Sequence, residues 1–285
     1  MHHRIGQFSK RTAIVLGTSE IASAVAVHLY RSGCHVVMSH DAFPPVIRRR
    51  MAFHDALYGD EVSVDGISCK RVDDGAQIFT ALNRAPSIQV TWLALADLLP
   101  VAGFDILIDA RMQKHRVTPD LRGLATLTIG LGPGFSTSVN CDVAIETRPG
   151  RSGLVVRDGW TDAADGMASP LGGVGAERFQ YSTSAGRWHS AVEIGRRVFK
   201  GFVLGHLAGN AVQAPCDGIV RGIARDGTEV PAKVKLVEID PRGRHAQWTG
   251  IDDRGRTIAA AVMRAVDAET MTPRRSAAVL PFDQA

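Results

Sequence analysis

Gly195-Arg-Arg-Val198-Phe-Lys-Gly201-Phe-Val-Leu204-Gly-His-Leu207 is restated as Gly227-Thr-Glu-Val230-Pro-Ala-Lys233-Val-Lys-Leu236-Val-Glu-Ile239, and this pairing decides how the second half of the chain is read. Every matched residue moves by the same step, the one that carries Gly195 to Gly227. The match runs upstream to Gly186 with Gly218 and Trp188 with Val220. A glycine, a valine three residues on and an aliphatic or small residue at each third position after it suit short strands joined by tight turns. Two such halves can pack face to face and bury one small core.

That pattern describes a two-fold sandwich module, as in biotinyl or lipoyl carrier domains. A swinging-arm carrier needs an exposed lysine at its hairpin tip, usually within Met-Lys-Met, and that tripeptide is absent from the sequence. The module is therefore expected to be structural or to hold a ligand in another way.

Upstream the pattern changes. Arg11-Thr-Ala-Ile-Val-Leu-Gly17 reads as a buried parallel strand. Residues 20–32 follow a helical period on Ile21, Val25 and Leu29 and stop at Gly33, and Cys34-His-Val-Val-Met38 is a second strand. Further strands are expected at Gln89–Trp92, Asp105–Asp109, Leu124–Ile129 and Asp142–Glu146, and helices at about 44–57, 73–84 and 93–99. Strands alternating with helices predict a doubly wound α/β domain over residues 10–148. Residues 149–178 read as a linker or hairpin, 179–250 as the sandwich, 251–270 as a C-terminal helix and 271–285 as a tail.

Composition sets limits. With 285 residues, 45% hydrophobic and 22% charged, the chain is long enough for two ordinary domains. A net charge of +4 comes from scattered arginines. Arg48-Arg49-Arg50 is the densest run, either a solvated helix face or an anion contact, and nucleic-acid binding is not expected. Cys34, Cys69, Cys141 and Cys216 lie far apart, and the ten histidines lack ligand spacing, so no metal site is expected. Reduced cysteines, a start Met1-His2-His3-Arg4 without an apolar core and no long apolar run predict a cytoplasmic protein with no membrane span.

Three segments carry candidate chemistry. Gly17-Thr-Ser-Glu-Ile-Ala22 approximates the dinucleotide fingerprint, but Ser19 holds the place of the middle glycine that lets a pyrophosphate approach the backbone. The following helix N-terminus still suits an anion, and Asp41 after the second strand could touch a ribose. Gly130-Leu-Gly132-Pro-Gly134-Phe135 is either an anion-binding nest of exposed amides or a tight turn. Cys141 lies close by, a reactive thiol if those amides lower its pKa or an inert core residue if they do not. Asp109-Ala-Arg111, with Lys114 beyond, could grip an anion through Arg111 and Lys114, Asp109 orienting the guanidinium, or could be a rim ion pair.

These segments resemble the YqeB-like accessory proteins of selenium-dependent molybdenum hydroxylase systems. The resemblance rests on Gly17 to Ala26, Arg48-Arg49 with Ala56-Leu-Tyr-Gly59, Asp105 to Met112, Ile129 to Phe135 through Cys141 to Thr147, Ala214 to Arg221 and Leu236 to Arg242. It implies a Rossmann-like domain followed by a barrel-sandwich hybrid. It also implies a role in maturing or supplying a molybdenum hydroxylase client, by binding a molybdopterin-type cofactor or handling its sulfur or selenium ligand. The chain departs from the family at Ser19 and at Arg148-Pro-Gly-Arg151, where the family has Arg-Gly-His. Two other readings stay open. One is an NAD(P)-dependent oxidoreductase, which no Tyr-x-x-x-Lys pair supports. The other is a non-catalytic scaffold that docks a partner or forms a homo-oligomer.

Overall fold

The computed structural model of the protein describes residues 10–114 and 118–271, so the opening Met1–Arg4 and all of the tail after Met271 lie outside the described residues. The short apolar runs become strands buried on both faces: β1 (Thr12–Leu16), β2 (His35–Ser39), β5 (Ile88–Thr91), β6 (Ile106–Asp109) and β7 (Leu127–Leu131). β8 (Val143–Ile145) continues the parallel ladder. β3 (Ser63–Val64), β4 (Ile67–Arg71) and β9 (Val155–Val156) complete a sheet of nine strands in the order β3-β4-β5-β2-β1-β6-β7-β8-β9. Only the outer pairs, β3 with β4 and β8 with β9, are antiparallel. β3 and β4 carry a polar sequence because they form an edge hairpin, which is why the hydrophobic pattern does not reveal them.

Alternate strand residues feed two cores. Ala13, Val15, Val36, Met38, Ile106, Ile108 and Ile129 pack under α1 (Glu20–Arg31) and α4 (Asp253–Met271). Ile14, Leu16, Val37 and Leu107 pack under α2 (Gly75–Leu82) and α3 (Leu95–Leu98). The C-terminal helix therefore returns to the first domain. Gly255 lets it approach α1, since a Cβ there would fall 3.2 Å from that of Ala24. The expected helix at 44–57 is absent. Pro44 and Pro45 remove amide donors, and Ile47 instead gives its carbonyl to the Ile223 amide (2.8 Å), leaving short 3-10 turns at Arg49–Met51 and His54–Tyr58.

The second module has eight strands: β10 (Phe179–Tyr181), β11 (Gly186–His189), β12 (Arg197–Val198), β13 (Val203–Leu207), β14 (Asn210–Gln213), β15 (Gly218–Ile223), β16 (Glu229–Val230) and β17 (Lys235–Asp240). They form two four-stranded sheets, β10-β17-β15-β12 and β14-β13-β11-β16. The sequence repeat maps one sheet onto the other strand by strand. Val198 pairs with Gly218 as Val230 pairs with Gly186. Gly195 N–H donates to Val220 as Gly227 N–H donates to Trp188, both at 2.8 Å. Each half thus lends a strand to the other's sheet, and Trp188, Val198, Leu204, Val220, Val230 and Leu236 share one core. Lys233 takes the left-handed backbone of its counterpart Gly201, with φ 67° and 85°.

Two substitutions test this symmetry by urea unfolding. Lys233→Gly is expected to stabilise by up to about 1 kcal/mol, because relief of left-handed strain exceeds the added freedom of the unfolded chain. Gly218→Ala, whose Cβ would overlap the Asp240 carbonyl, is expected to destabilise by about 3 kcal/mol. A destabilised Lys233→Gly or a neutral Gly218→Ala would contradict the assignment.

Candidate functional site at the strand ends and domain junction

The strand order reverses between β1 and β6, the switch point beyond whose carboxyl ends open α/β sheets bind their ligands. Gly17 turns the chain there at φ 103°, and a Cβ at this position would fall 3.3 Å from the Ala110 backbone, so β1 and β6 end in contact. Ser19 is the helix N-cap, and its hydroxyl accepts from Ala22 N–H (3.4 Å). Asp41 is engaged by Gln113 Nε2 (2.6 Å) and faces Arg111 (3.7 Å). Arg111 is held mainly by Asp109, through Nε (3.0 and 3.1 Å) and Nη2 (2.5 Å). The guanidinium expected to grip a ligand is thus largely satisfied by protein carboxylates. Lys114 is exposed, and among the described residues no carboxylate pairs with it.

The glycine loop is not a nest of bare amides. Gly132 N–H donates to Ile145 (3.0 Å), Phe135 N–H to Thr161 Oγ1 (3.1 Å) and Ser136 N–H to Asn140 Oδ1 (2.9 Å). The neighbouring amides of Thr147, Arg148 and Asp162 are filled by the Glu146 carboxylate, each at 2.7 Å. Gly130 is a glycine because the buried Phe135 ring folds back onto it and occupies the space of a Cβ. Gly132 and Gly134 take left-handed turns against Thr147 and Thr118. Cys141 lies in the core with Phe135 and Leu107, fully buried. Burial pushes its thiol up to about 11, outweighing the lowering effect of the Gly130 and Ser136 amides. Of the two readings of Cys141, the structure therefore favours the inert core residue over the reactive thiol, and burial likewise raises Cys34, Cys69 and Cys216.

The Arg48-Arg49-Arg50 run closes the junction between the domains. Arg48 forks onto Glu238 of β17 (2.7 and 3.1 Å) and reaches Glu20 of α1 (2.9 Å). Arg178 joins the same carboxylate at 3.2 Å, and Arg221 binds Asp252 at 2.8 Å. Glu238 is fully buried. Burial acts to raise its pKa, but Arg48, Arg221 and Arg178 together hold the carboxyl below its usual value. Around it Arg48, Arg178 and Arg221 converge on one carboxylate, with Lys235 close by. The Nε atoms of Arg221 and Arg254 are buried without a hydrogen-bond acceptor. Lys235 is half-buried, its Nζ 3.8 Å from the Phe179 ring centroid. Burial first, and then Arg48, Lys114 and Arg178, lower its pKa to about 8. Lys114 therefore acts on a lysine of the second module through its charge, a coupling that no sequence pattern singles out.

On the other flank of Gly17, Thr18 Oγ1 lies 3.0 Å from His54 Nδ1 and 3.5 Å from His40 Nδ1. Desolvation lowers both imidazoles, His54 to about 3, so both are neutral at pH 7. Trp92, at the end of β5, packs edge-on with His40 (4.6 Å) and Tyr58 (5.5 Å). Among the described residues no three metal-ligating side chains gather to hold an ion, and no helix is long and apolar enough to cross a membrane.

No protein-family model matches the chain. It is 30% identical over 257 residues to an Escherichia coli K12 protein named "Uncharacterized protein YqeB"; the alignment covers 89% of this chain and 47% of that protein, so the chain spans about half that relative's length. Among solved structures, an aspartoacylase family protein from Mesorhizobium loti matches over 83% of this chain and 87% of its own, at 12% identity and a TM-score of 0.25. The ectoine utilization protein EutE of Ruegeria pomeroyi matches over 82% and 86%, at 13% identity and 0.25. At that TM-score neither likeness carries an argument.

Glu238→Gln leaves three guanidinium groups short of charge and is expected to destabilise by about 3–5 kcal/mol. Because the folded-state pKa of Glu238 is depressed, its contribution is present above the unfolded carboxylate value and is lost as pH falls through the folded one. A variant as stable as the parent, with the same acid unfolding curve, would contradict this. Native protein is also expected to show no fast-reacting thiol toward a disulfide reagent at about pH 7.5; a rapid modification at Cys141 would restore the thiolate reading.

Proposed function

We propose that the chain is a YqeB-like accessory protein of a molybdenum hydroxylase system, cytoplasmic, which binds an anionic, phosphate-bearing cofactor of the molybdopterin type where its two domains meet. The observation that carries this reading is the set of cations gathered at the domain junction: Arg48, Arg178 and Arg221 around Glu238, with Lys235 held over the Phe179 ring. It lies near the first turn of α1, which is tied to it through Glu20 and Arg48. A phosphate there would relieve the repulsion that Arg48, Arg178 and Lys114 exert on Lys235. The first-turn amides of α1 that lack intrahelical acceptors would add to the attraction. Lys114, Lys235 and Arg254 would hold the ligand.

When bound, such a cofactor supplies its own metal-binding sulfurs, and the chain's residues bind and neutralise it. The alternative role of carrying sulfur or selenium on the protein does not fit, since burial keeps the thiols protonated. The NAD(P) oxidoreductase reading is disfavoured by Ser19, turned into the helix cap, and by Asp41, which is engaged by Gln113. On our reading the first domain is Rossmann-like and the second a barrel-sandwich hybrid that closes the crevice instead of bearing a prosthetic arm; the hairpin joining its halves has Ala208-Gly209 at its tip, with no lysine. One observation favours a docking role beside binding. Phe199 is 61% exposed next to Phe202 and Val203, with Arg197 and Arg196 over the two rings, a face suited to an acidic client surface.

Calorimetric titration with a molybdopterin-type cofactor, and with inorganic pyrophosphate as the simplest anion, tests the proposal. Binding is expected to weaken about tenfold or more in Lys235→Met. It is expected to weaken as pH rises through about 8, where Lys235 loses its charge, and to take up protons at that pH. An affinity for neither probe, or one indifferent to both the lysine and pH, would remove the reading.

A further inference from the structure

The rings beside Gly17 belong to no part of the anion site. Trp92 and Tyr58 are 43% and 42% exposed, so each leaves part of its ring open to a ligand. They stand at the carboxyl ends of β5 and of the 3-10 turn that follows the arginine run, next to His40 at the end of β2. Trp92 meets both neighbours nearly at right angles, 80° to His40 and 88° to Tyr58, so the three rings form a corner instead of a stack. Arg225 from the second module lies 4.3 Å from the Tyr58 ring centroid and is anchored by Asp60 (2.5 Å) and Asp55 (3.5 Å). That arginine already takes the cation position on Tyr58, which leaves the corner unsuited to an external ammonium group.

The polar edges of the corner are unused. Among the described residues the indole N–H of Trp92, the hydroxyl of Tyr58 and Nε2 of His40 have no hydrogen-bond partner in the protein. His40 spends its Nδ1 on Thr18, and that hydroxyl is shared with His54. A single hydroxyl can donate to only one of the two ring nitrogens, so the other imidazole donates to it. At most one of the two imidazoles accepts from this hydroxyl, and Nε2 of His40 donates or accepts according to its tautomer. Such a group reads hydrogen-bond polarity, where a freely titrating histidine would not.

We propose that His40, Tyr58 and Trp92 form a binding site for the planar, hydrogen-bonding ring of a heteroaromatic ligand, a purine or a pterin, with Trp92 as its platform and His40 reading its edge. Base-like rings stack on indole with little regard to identity, while the imidazole edge and phenol hydroxyl discriminate among them. The site extends the reading of an anionic cofactor in the crevice, and rests on it only for the pairing of ring with phosphate. The ring corner itself is carried by different residues.

Isothermal titration with two rings that lack phosphate, guanosine and an unphosphorylated pterin, separates the possibilities. At least one is expected to bind the full chain, with affinity lost about tenfold or more in Trp92→Leu, kept within about twofold in Trp92→Phe, and unchanged in Lys235→Met. Trp92→Phe keeps an aromatic platform and guards against a folding defect in the leucine variant. Pterin binding supports the corner and the molybdopterin reading together. Guanosine binding without pterin binding supports the corner and sinks the molybdopterin reading. Binding of neither ring at millimolar concentration, or equal binding by Trp92→Leu and the parent, overturns the ring site while leaving the pyrophosphate result to stand by itself.

Discussion

A carboxylate with no water around it governs this molecule. Glu238 sits in the middle of β17, fully buried, where an unpaired ion would cost several kcal/mol. Its partners come from both domains: Arg178 and Arg221 from its own module, Arg48 from the loop after β2. Separating the domains would strip Arg48 away and leave the charge partly uncompensated. The pairing therefore fixes how the sandwich sits on the parallel sheet, together with the backbone bond from Ile223 to Ile47 and the packing of Gly222, where a side chain would press on the Ile47 backbone at 3.1 Å. A buried ion pair gives orientation more surely than stability, and here orientation is what a composite site requires.

That orientation decides the electrostatics of the crevice. Arg48 is shared between Glu238 and Glu20, so the acidic residue in the first turn of α1 does not act as an unopposed negative charge at the helix end. The same geometry brings Lys235 within the electrostatic reach of Arg48, Arg178 and Lys114. Neither domain alone holds this concentration of like charge. The sequence offers Lys114 as an anion grip beside Arg111 or as part of a rim ion pair; it gives no sign of the lysine of the second module that docking brings within its field.

The repeat was readable because a two-fold module imposes identical backbone demands on each half. Gly186 and Gly218, Gly195 and Gly227, Gly201 and Lys233 recur in the sequence because the same turns and hydrogen bonds recur in space. The parallel strands were readable because burial on both faces leaves an apolar run. Three features were hidden for physical reasons. The Gly130–Phe135 segment looks like an anion nest, but its glycines make room for Phe135 and its neighbours' amides are filled by Glu146. Cys141 adjoins a glycine loop in sequence yet points into hydrocarbon, and desolvation outweighs the pull of two amides on its thiol. The His40, Tyr58 and Trp92 corner joins three separate strand ends or turns, and no local spacing announces such a meeting.

The turn at Gly17 links these observations. Its left-handed backbone lets Thr18 face the imidazoles on one flank while Ser19 and Glu20 start α1 on the other. A dinucleotide fingerprint spends this turn on one close approach of pyrophosphate to glycine. Here Ser19 closes that approach with its own cap, and the two flanks are furnished separately, one with cations and the other with rings. Charge attracts at a distance and discriminates poorly, whereas ring edges discriminate only at contact. On our reading, the cations beside this turn would capture a phosphate-bearing heterocycle by charge, and the rings would select it at contact.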